Sequence, residues 1–206
     1  MYKDKPEISL EALLAGNQAE FSRMVNTFSG SIYRMAVYML ADTADAEDVL
    51  QNTFLKAFQH LKEFEGRSHL STWLYRIAAN EALMMIRKRR PEVSRVDLQN
   101  QDQDDHDYTP VQLTDWCCLP EQELLSTESR AVLDQAVQRL PEILRIVFIL
   151  RDLQGLSIQQ TSQVLNLTGS AVITRLLRAR LRLREDLSGY FGLQVTGKAE
   201  KGMKHD

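Results

Sequence analysis

The chain has 206 residues, 44% of them hydrophobic and 26% charged, with a net charge of −3 at neutral pH. That is enough apolar material for one or two packed domains, and 9 glycines and 5 prolines are few turn signals for this length, so a mostly helical protein is expected. Two adjacent cysteines, Cys117 and Cys118, exclude a disulfide framework and a metal-ligand spacing, and no apolar run is long enough to span a membrane.

Met1 to Leu10 lacks the apolar core of a secretion signal. With no disulfide set, a reducing cytoplasm is the expected compartment. Phe21, Met24, Val25, Phe28, Ile32, Met35, Ala36 and Met39 then recur at three- and four-residue steps, the signature of one buried helix face. Ala41 to Asp45 interrupts that pattern, with Thr43 or Asp45 as the expected cap of the next helix. There Leu50, Phe54, Ala57, Phe58 and Leu61 make the apolar stripe, opposed by Glu47, Asp48, Gln51, Asn52 and Lys56. Glu65-Gly66-Arg67-Ser68 reads as a loop. A third helix carries Trp73, Leu74, Ile77, Ala78 and Leu83 inward and ends in Arg87-Lys88-Arg89-Arg90 before Pro91.

Periodicity fails from Glu92 to about Pro120. Gln101 to Asp107 is polar and charged, and it buries too little to offset ordering entropy. This segment is expected to be a flexible acidic linker, with Trp116 and Leu119 free to dock elsewhere. Val132, Leu133, Ala136, Val137 and Leu140 start a second helical block. Pro141 suits the first turn of the next helix, Ile143 to Leu150. Gly155 breaks the chain, Ser157 caps a short helix over Ile158 to Leu165, and Ser170 to about Leu187 forms the last helix. A loose tail is expected after Gly192. The fold class is thus all-α: two small helical domains over 9–92 and 121–192, a linker over 93–120, and a tail over 193–206.

Charge is distributed unevenly, which matters more than its sum. Lys62, Arg67, Arg76 and Arg87 to Arg90 outnumber Glu63, Glu65 and Glu81, and five arginines between Leu167 and Tyr190 face only Glu185 and Asp186. Between these basic stretches lie Asp97, Asp102, Asp104, Asp105, Asp107 and Asp115, opposed by Arg95. Two basic patches can bind DNA locally despite a negative total.

Leu156 to Arg182 has the form of a helix-turn-helix. Its second helix would enter a major groove, braced by Ile158, Thr161, Val164, Leu165, Val172, Leu176 and Leu177. Ser170, Ala171, Ile173, Thr174 and Arg175 would face DNA, with Arg178 and Arg180 nearer phosphates. The plainer alternative is a helical hairpin with a solvated arginine face. Ser71 to Asn80 sets aromatics beside cations, which suits exposed bases, although Trp73 and Ile77 at this spacing equally suit a core. Asp45 to Phe54 opens with an acidic turn that would stabilise any helix.

In combination these strings resemble the extracytoplasmic-function (ECF) group of bacterial sigma factors. The residues that carry the resemblance are Asp45-Ala46-Glu47-Asp48-Val49-Leu50-Gln51, Phe64-Glu65-Gly66, Thr72-Trp73-Leu74-Tyr75-Arg76-Ile77-Ala78, Leu140-Pro141, Leu150-Arg151-Asp152-Leu153-Gln154-Gly155-Leu156-Ser157 and Arg175-Leu176-Leu177-Arg178-Ala179-Arg180. The match runs from about Leu10 to Leu187, sparing the linker.

The resemblance implies that the first domain is sigma region 2 and the second sigma region 4. Asp45, Asp48, Gln51, Asn52 and Leu55 would dock on core RNA polymerase, at the clamp helices of its beta-prime subunit. Arg67, Ser68, Tyr75, Arg76, Asn80 and Arg87, Lys88, Arg89 and Arg90 would engage the minus-ten element as it opens. A flipped base would enter a pocket there, and the amide of Asn80 suits a base edge. Ser170, Ala171, Ile173, Thr174, Arg175, Arg178 and Arg180 would read the minus-thirty-five element. The beta subunit of core polymerase and an anti-sigma factor are the other implied partners. No catalytic residue, metal, cofactor or small-molecule substrate is implied.

Two positions depart from the family pattern. Asn52 stands where many relatives have glutamate. Ile173 replaces a common cation, which removes a phosphate or base contact and offers an apolar contact to a thymine methyl. Cys117 and Cys118 carry no family role and read as incidental, with redox sensing the alternative. A conventional helix-turn-helix regulator would leave Asp45 to Leu61 and the Trp73 segment unexplained. A protein-binding helical adaptor would show no salt-dependent DNA affinity.

Overall fold

A computed structural model describes residues 8–89 and 127–201, with side chains of the second stretch described over 131–188. The expected linker, including Trp116, Cys117, Cys118 and Leu119, lies outside the described residues, as does Arg90.

Ser9 caps a short helix α1 (Leu10–Leu14) by accepting from the Ala12 N–H. Asn17 then caps α2 (Gln18–Leu40), its side-chain oxygen accepting from Ala19 and Glu20 at 2.9 and 3.2 Å. The three-and-four spacing of Met24, Phe28, Ile32, Met35, Ala36 and Met39 becomes the buried face of α2. Ala41 closes α2 in the left-handed region, at φ 54°.

The cap of α3 (Thr43–His60) is Asp42, not Thr43 or Asp45. Asp42 is the last residue with extended backbone, so its carboxylate is the one placed to accept from the Asp45 N–H, at 3.0 Å. Ala46, Val49, Thr53, Phe54 and Ala57 face inward. Phe58 does not: one residue past Ala57 is about 100° around the helix, and its ring is 64% exposed. After a 3-10 turn at Leu61–Glu63 the loop runs through Gly66, at φ +70°, into α4 (Leu70–Arg89). Leu74, Ala78, Ala82, Leu83 and Ile86 pack α4 on α2 and α3. Truncating a wholly buried residue of this core, such as Ile32 or Leu74, to alanine costs about 2–5 kcal/mol.

The second half begins with α5 (Thr127–Arg139) and α6 (Glu142–Phe148). Pro141 sits directly before α6 rather than inside its first turn, its φ of −51° suiting the entry. α6 widens into a π turn over Ile149–Leu153, closed by Gln154 N–H on Ile149 O at 2.9 Å. Gly155, at φ +70°, turns the chain. Ser157 and Gln160 then form a reciprocal capping box at the start of α7 (Ile158–Leu165).

Asn166 ends α7 in the left-handed region, which its short polar side chain tolerates. Thr168 Oγ1 accepts from the Ala171 N–H at 3.2 Å as α8 (Gly169–Lys201) begins. The backbone of α8 stays helical to Lys201, well past the expected end near Leu187 and through most of the expected loose tail. Glycine weakens a helix by about 1 kcal/mol without the steric block of a proline, so Gly189 and Gly192 do not end it.

The two halves pack on one another. α4 lies along α7, and the C-terminal end of α2 meets α5 and α6. Gln138 Nε2 donates to Tyr38 O at 2.7 Å, and Arg145 Nη1 to Met39 O at 2.8 Å. Buried apolar residues of both halves form one continuous cluster. Among the described residues there is no strand, and no helix long and apolar enough to cross a membrane.

Candidate nucleic-acid interface

Three surfaces carry the residues singled out in the sequence. On α3, Asp48, Gln51, Asn52 and Leu55 stand at positions i, i+3, i+4 and i+7 of one helix face and are all exposed. Leu55 is 55% exposed, and Phe58 extends the same outward face by one turn, its ring edge-on to Phe21 at 5.3 Å. Asp45 stands apart from this face. It is half-buried and ion-paired with Arg89 at the end of α4, which also pairs with Asp42 at 3.6 Å. Phe58 joins this outward face and not the inward stripe that its aromatic side chain suggests. Its offset from Ala46, Val49, Thr53 and Ala57 was the available signal.

The second surface is the loop before α4 and the outer side of that helix. Arg67 is exposed and pairs with Glu65, and Ser68 is half-buried beside it. Trp73 stacks at a tilt on Phe64, with ring centroids 5.0 Å apart. Trp73 is partly buried against the core. Asn80, Arg87 and Lys88 are exposed.

Two residues expected on this surface are engaged elsewhere. Tyr75 is buried, and its hydroxyl donates to Gln154 Oε1 at 2.9 Å. Arg76 donates from Nε and Nη2 to the carbonyl of Gln163, at 2.9 and 2.5 Å. Both acceptors belong to the second half of the chain. Arg89, through its pairing with Asp42 and Asp45, is also committed within the fold.

The third surface is the start of α8. Ser170, Ile173 and Thr174 are exposed and Ala171 and Arg178 are half-buried, so they line the outer side of the first turns. Ile173 is 53% exposed. Arg175 is not on this surface. It is 3% exposed, on the inward stripe set by Val172, Leu176 and Ala179, because three residues past Val172 return to the same helix face. Arg180 is turned aside as well, in a two-pronged ion pair with Asp152 at 2.8 and 2.9 Å. Of the expected bracing residues, Thr161, Val164, Val172 and Leu176 are buried, whereas Ile158 is exposed.

Residues 24–92 match the family model for sigma-70 region 2, and residues 130–183 match that for sigma-70 region 4. The chain is 33% identical over 175 residues to the RNA polymerase sigma-H factor of Pseudomonas aeruginosa, covering 83% of this chain and 88% of that one. It is 31% identical over 172 residues to the ECF RNA polymerase sigma factor SigW of Bacillus subtilis, covering 84% and 91%. It is 31% identical over 176 residues to the ECF RNA polymerase sigma-E factor of Escherichia coli, covering 84% and 90%. Among solved structures, CnrH in complex with the cytosolic domain of CnrY is similar with a TM-score of 0.65 and 24% identity, over 90% of this chain and 99% of that one. The sigma factor RpoE bound to the anti-sigma factor NepR, from Bartonella quintana, is similar with a TM-score of 0.59 and 24% identity, over 82% and 97%. These two likenesses concern the fold.

Proposed function

The chain belongs to the ECF group of sigma-70 factors, and from that premise we propose which of its surfaces carry out transcription initiation. A sigma factor is a specificity subunit and not an enzyme: core RNA polymerase makes the bonds, and the sigma factor brings it to promoters.

The outward face of α3, with Asp48, Gln51, Asn52 and Leu55, docks on the beta-prime clamp helices. Phe58 adds apolar area to that contact. Asp45 supports the site from below by holding Arg89. Arg67, Ser68, Arg76 and Asn80 meet the opened minus-ten strand, and Arg87, Lys88 and Arg90 hold phosphates nearby. Tyr75 joins them only when the two halves separate.

In duplex DNA the minus-thirty-five element meets Ser170, Ala171, Ile173, Thr174 and Arg178. Arg175 and Arg180 hold the recognition helix in place from within. The protein works in the cytoplasm, where polymerase is, and an anti-sigma factor holds it in check.

The observation that carries this reading is the unbroken exposed face on α3. Its large apolar side chains, Leu55 and Phe58, lack cover within the fold to the extent of 55% and 64%. Leucine burial at an interface is worth about 1.5–3 kcal/mol, and a charge in its place adds a desolvation penalty. Leu55→Asp should therefore weaken binding of the labelled chain to purified core polymerase by at least about tenfold, with unchanged circular dichroism. Unaltered core affinity in both Leu55→Asp and Asn52→Ala would refute the assignment of this face.

A further inference from the structure

We propose that Leu10, on the short helix α1, is a positioning residue for minus-ten recognition: it supports the Glu65–Ser68 loop at Gly66 and so sets how sharply that loop chooses a base. What the loop reads rests on the sigma-factor reading, and the support beneath it on the contacts alone.

The loop is held at both ends and not at its apex. Before it, Phe64 is 7% exposed and stacked on Trp73. After it, the Trp73 N–H donates to His69 O at 3.1 Å as α4 begins. Between these anchors Gly66 takes φ +70°, a conformation that glycine adopts without strain. With no side chain to bury, the apex is fixed by what its backbone lies against. A β-carbon at Gly66 would stand 3.7 Å from Leu10 Cδ2. Beyond Gly66 and its two chain neighbours, no other atom of the described residues comes within 4 Å of that point. Leu10 thus closes the side of the apex where a side chain would otherwise project.

Leu10 is held in turn by its own helix. The five residues of α1 are too few to stay helical in water unaided, so contacts with the rest of the domain place them. Leu13 is wholly buried, and Leu10 and Leu14 pack partly on the core. Ser9 Oγ accepts from the Ala12 N–H at 3.3 Å, and the Ser9 N–H donates to Glu20 Oε2 at 3.2 Å. Arg23 holds the other oxygen of Glu20 at 2.8 Å. Contacts therefore run unbroken from Arg23 and Glu20 on α2, through Ser9 and Leu10, to Gly66. The brace comes from outside residues 24–92, the extent of the region 2 match.

Choice of a flipped base depends on how well its pocket is preformed. A pocket whose polar groups are fixed rejects a wrong base by leaving those groups unpaired. One free to shift adapts to the wrong base, so discrimination falls ahead of affinity. Arg67 and Ser68 follow Gly66 directly, and movement of the apex carries both. Removing the Leu10 side chain should blunt base choice and leave the docking face on α3 as it was.

Holoenzyme assembled from the full chain and purified core polymerase is presented with a pool of randomised single-stranded oligonucleotides, and the bound fraction is sequenced. Wild type should strongly enrich one base at one position. Leu10→Ala should lower that enrichment on the order of tenfold, with core affinity unchanged. Leu10→Met refills the space and should restore it. Ser9→Ala lies at an exposed position with no assigned DNA contact; it loosens α1 by removing its cap and should give a smaller loss.

Wild-type enrichment in a folded Leu10→Ala protein would overturn the inference. So would enrichment that falls only in step with core affinity, since Leu10 would then do no more than stabilise the domain. If Leu10→Ala does not fold, Ser9→Ala decides: a selective fall upholds the support, and enrichment equal to wild type refutes it. A wild-type holoenzyme that forms but enriches no base at any position would defeat the assignment of this loop to the minus-ten strand, and the role of Leu10 with it.

Discussion

Asp152, in the π turn after α6, holds Arg180, in the fourth turn of α8, through two parallel hydrogen bonds at 2.8 and 2.9 Å. The pair sets the recognition helix against the element that precedes the helix-turn-helix. A two-pronged carboxylate–guanidinium contact fixes orientation as well as distance.

Because both side chains are partly solvated, at 36% and 22% exposure, screening limits the pair to about 0.5–1 kcal/mol. Arg180→Ala and Asp152→Ala should each lower the melting temperature by about 2 °C. The double variant should lose little more than either alone, since the coupling is removed once. Fully additive losses in a thermal double-mutant cycle would mean that the pair contributes nothing.

Ser157→Ala removes the side chain that accepts from the Gln160 N–H at 3.1 Å. A lost cap of this kind costs about 1 kcal/mol. The expected result is a lower urea midpoint with an unchanged slope, and weaker minus-thirty-five binding as α7 frays beneath α8. An unchanged midpoint would contradict the role given to the capping box.

Ile173 should read a thymine methyl. Replacing thymine by deoxyuridine removes that methyl and nothing else. At about 0.8 kcal/mol for a buried methylene-sized group, the replacement at the contacted base should weaken binding by the polymerase-bound protein about fourfold. Ile173→Ala should bind both templates alike. A wild-type protein indifferent to the replacement at every minus-thirty-five thymine would disprove this contact.

Arg178→Ala should weaken duplex binding by the holoenzyme nearly uniformly across sequences and reduce the slope of log affinity against log salt by about 1. Arg175→Ala should behave differently, because Arg175 is buried. It should lower stability and leave the salt slope unchanged. Salt titrations of both variants distinguish the two roles.

The helices were legible where local patterns decide them. Ser157 and the apolar period fixed α7 to the residue, and the break at Ala41 to Asp45 located the α2–α3 corner. The helix-turn-helix was likewise readable from spacing and charge, as were Asp48, Gln51 and Asn52 on the exposed α3 face, whereas Leu55 is reached only through the family resemblance. Arg175 is buried although its charge points to the surface, because three residues past Val172 faces inward whatever the side chain. Phe58 is the converse case, an aromatic residue that its angle to Ala57 turns outward. Tyr75 and Arg76 were beyond local reading altogether. Their partners, Gln154 and Gln163, lie in the other half of the chain, and no helical period records a contact across that distance in sequence.

Run-off transcription with purified core polymerase tests the sigma-factor assignment most directly, using templates that include the region upstream of the chain's own coding sequence. The expected result is transcripts from a defined start site that vanish when the protein is omitted and fall sharply with Leu55→Asp. Failure of the chain to bind core, together with no protein-dependent transcript from any template, would contradict it.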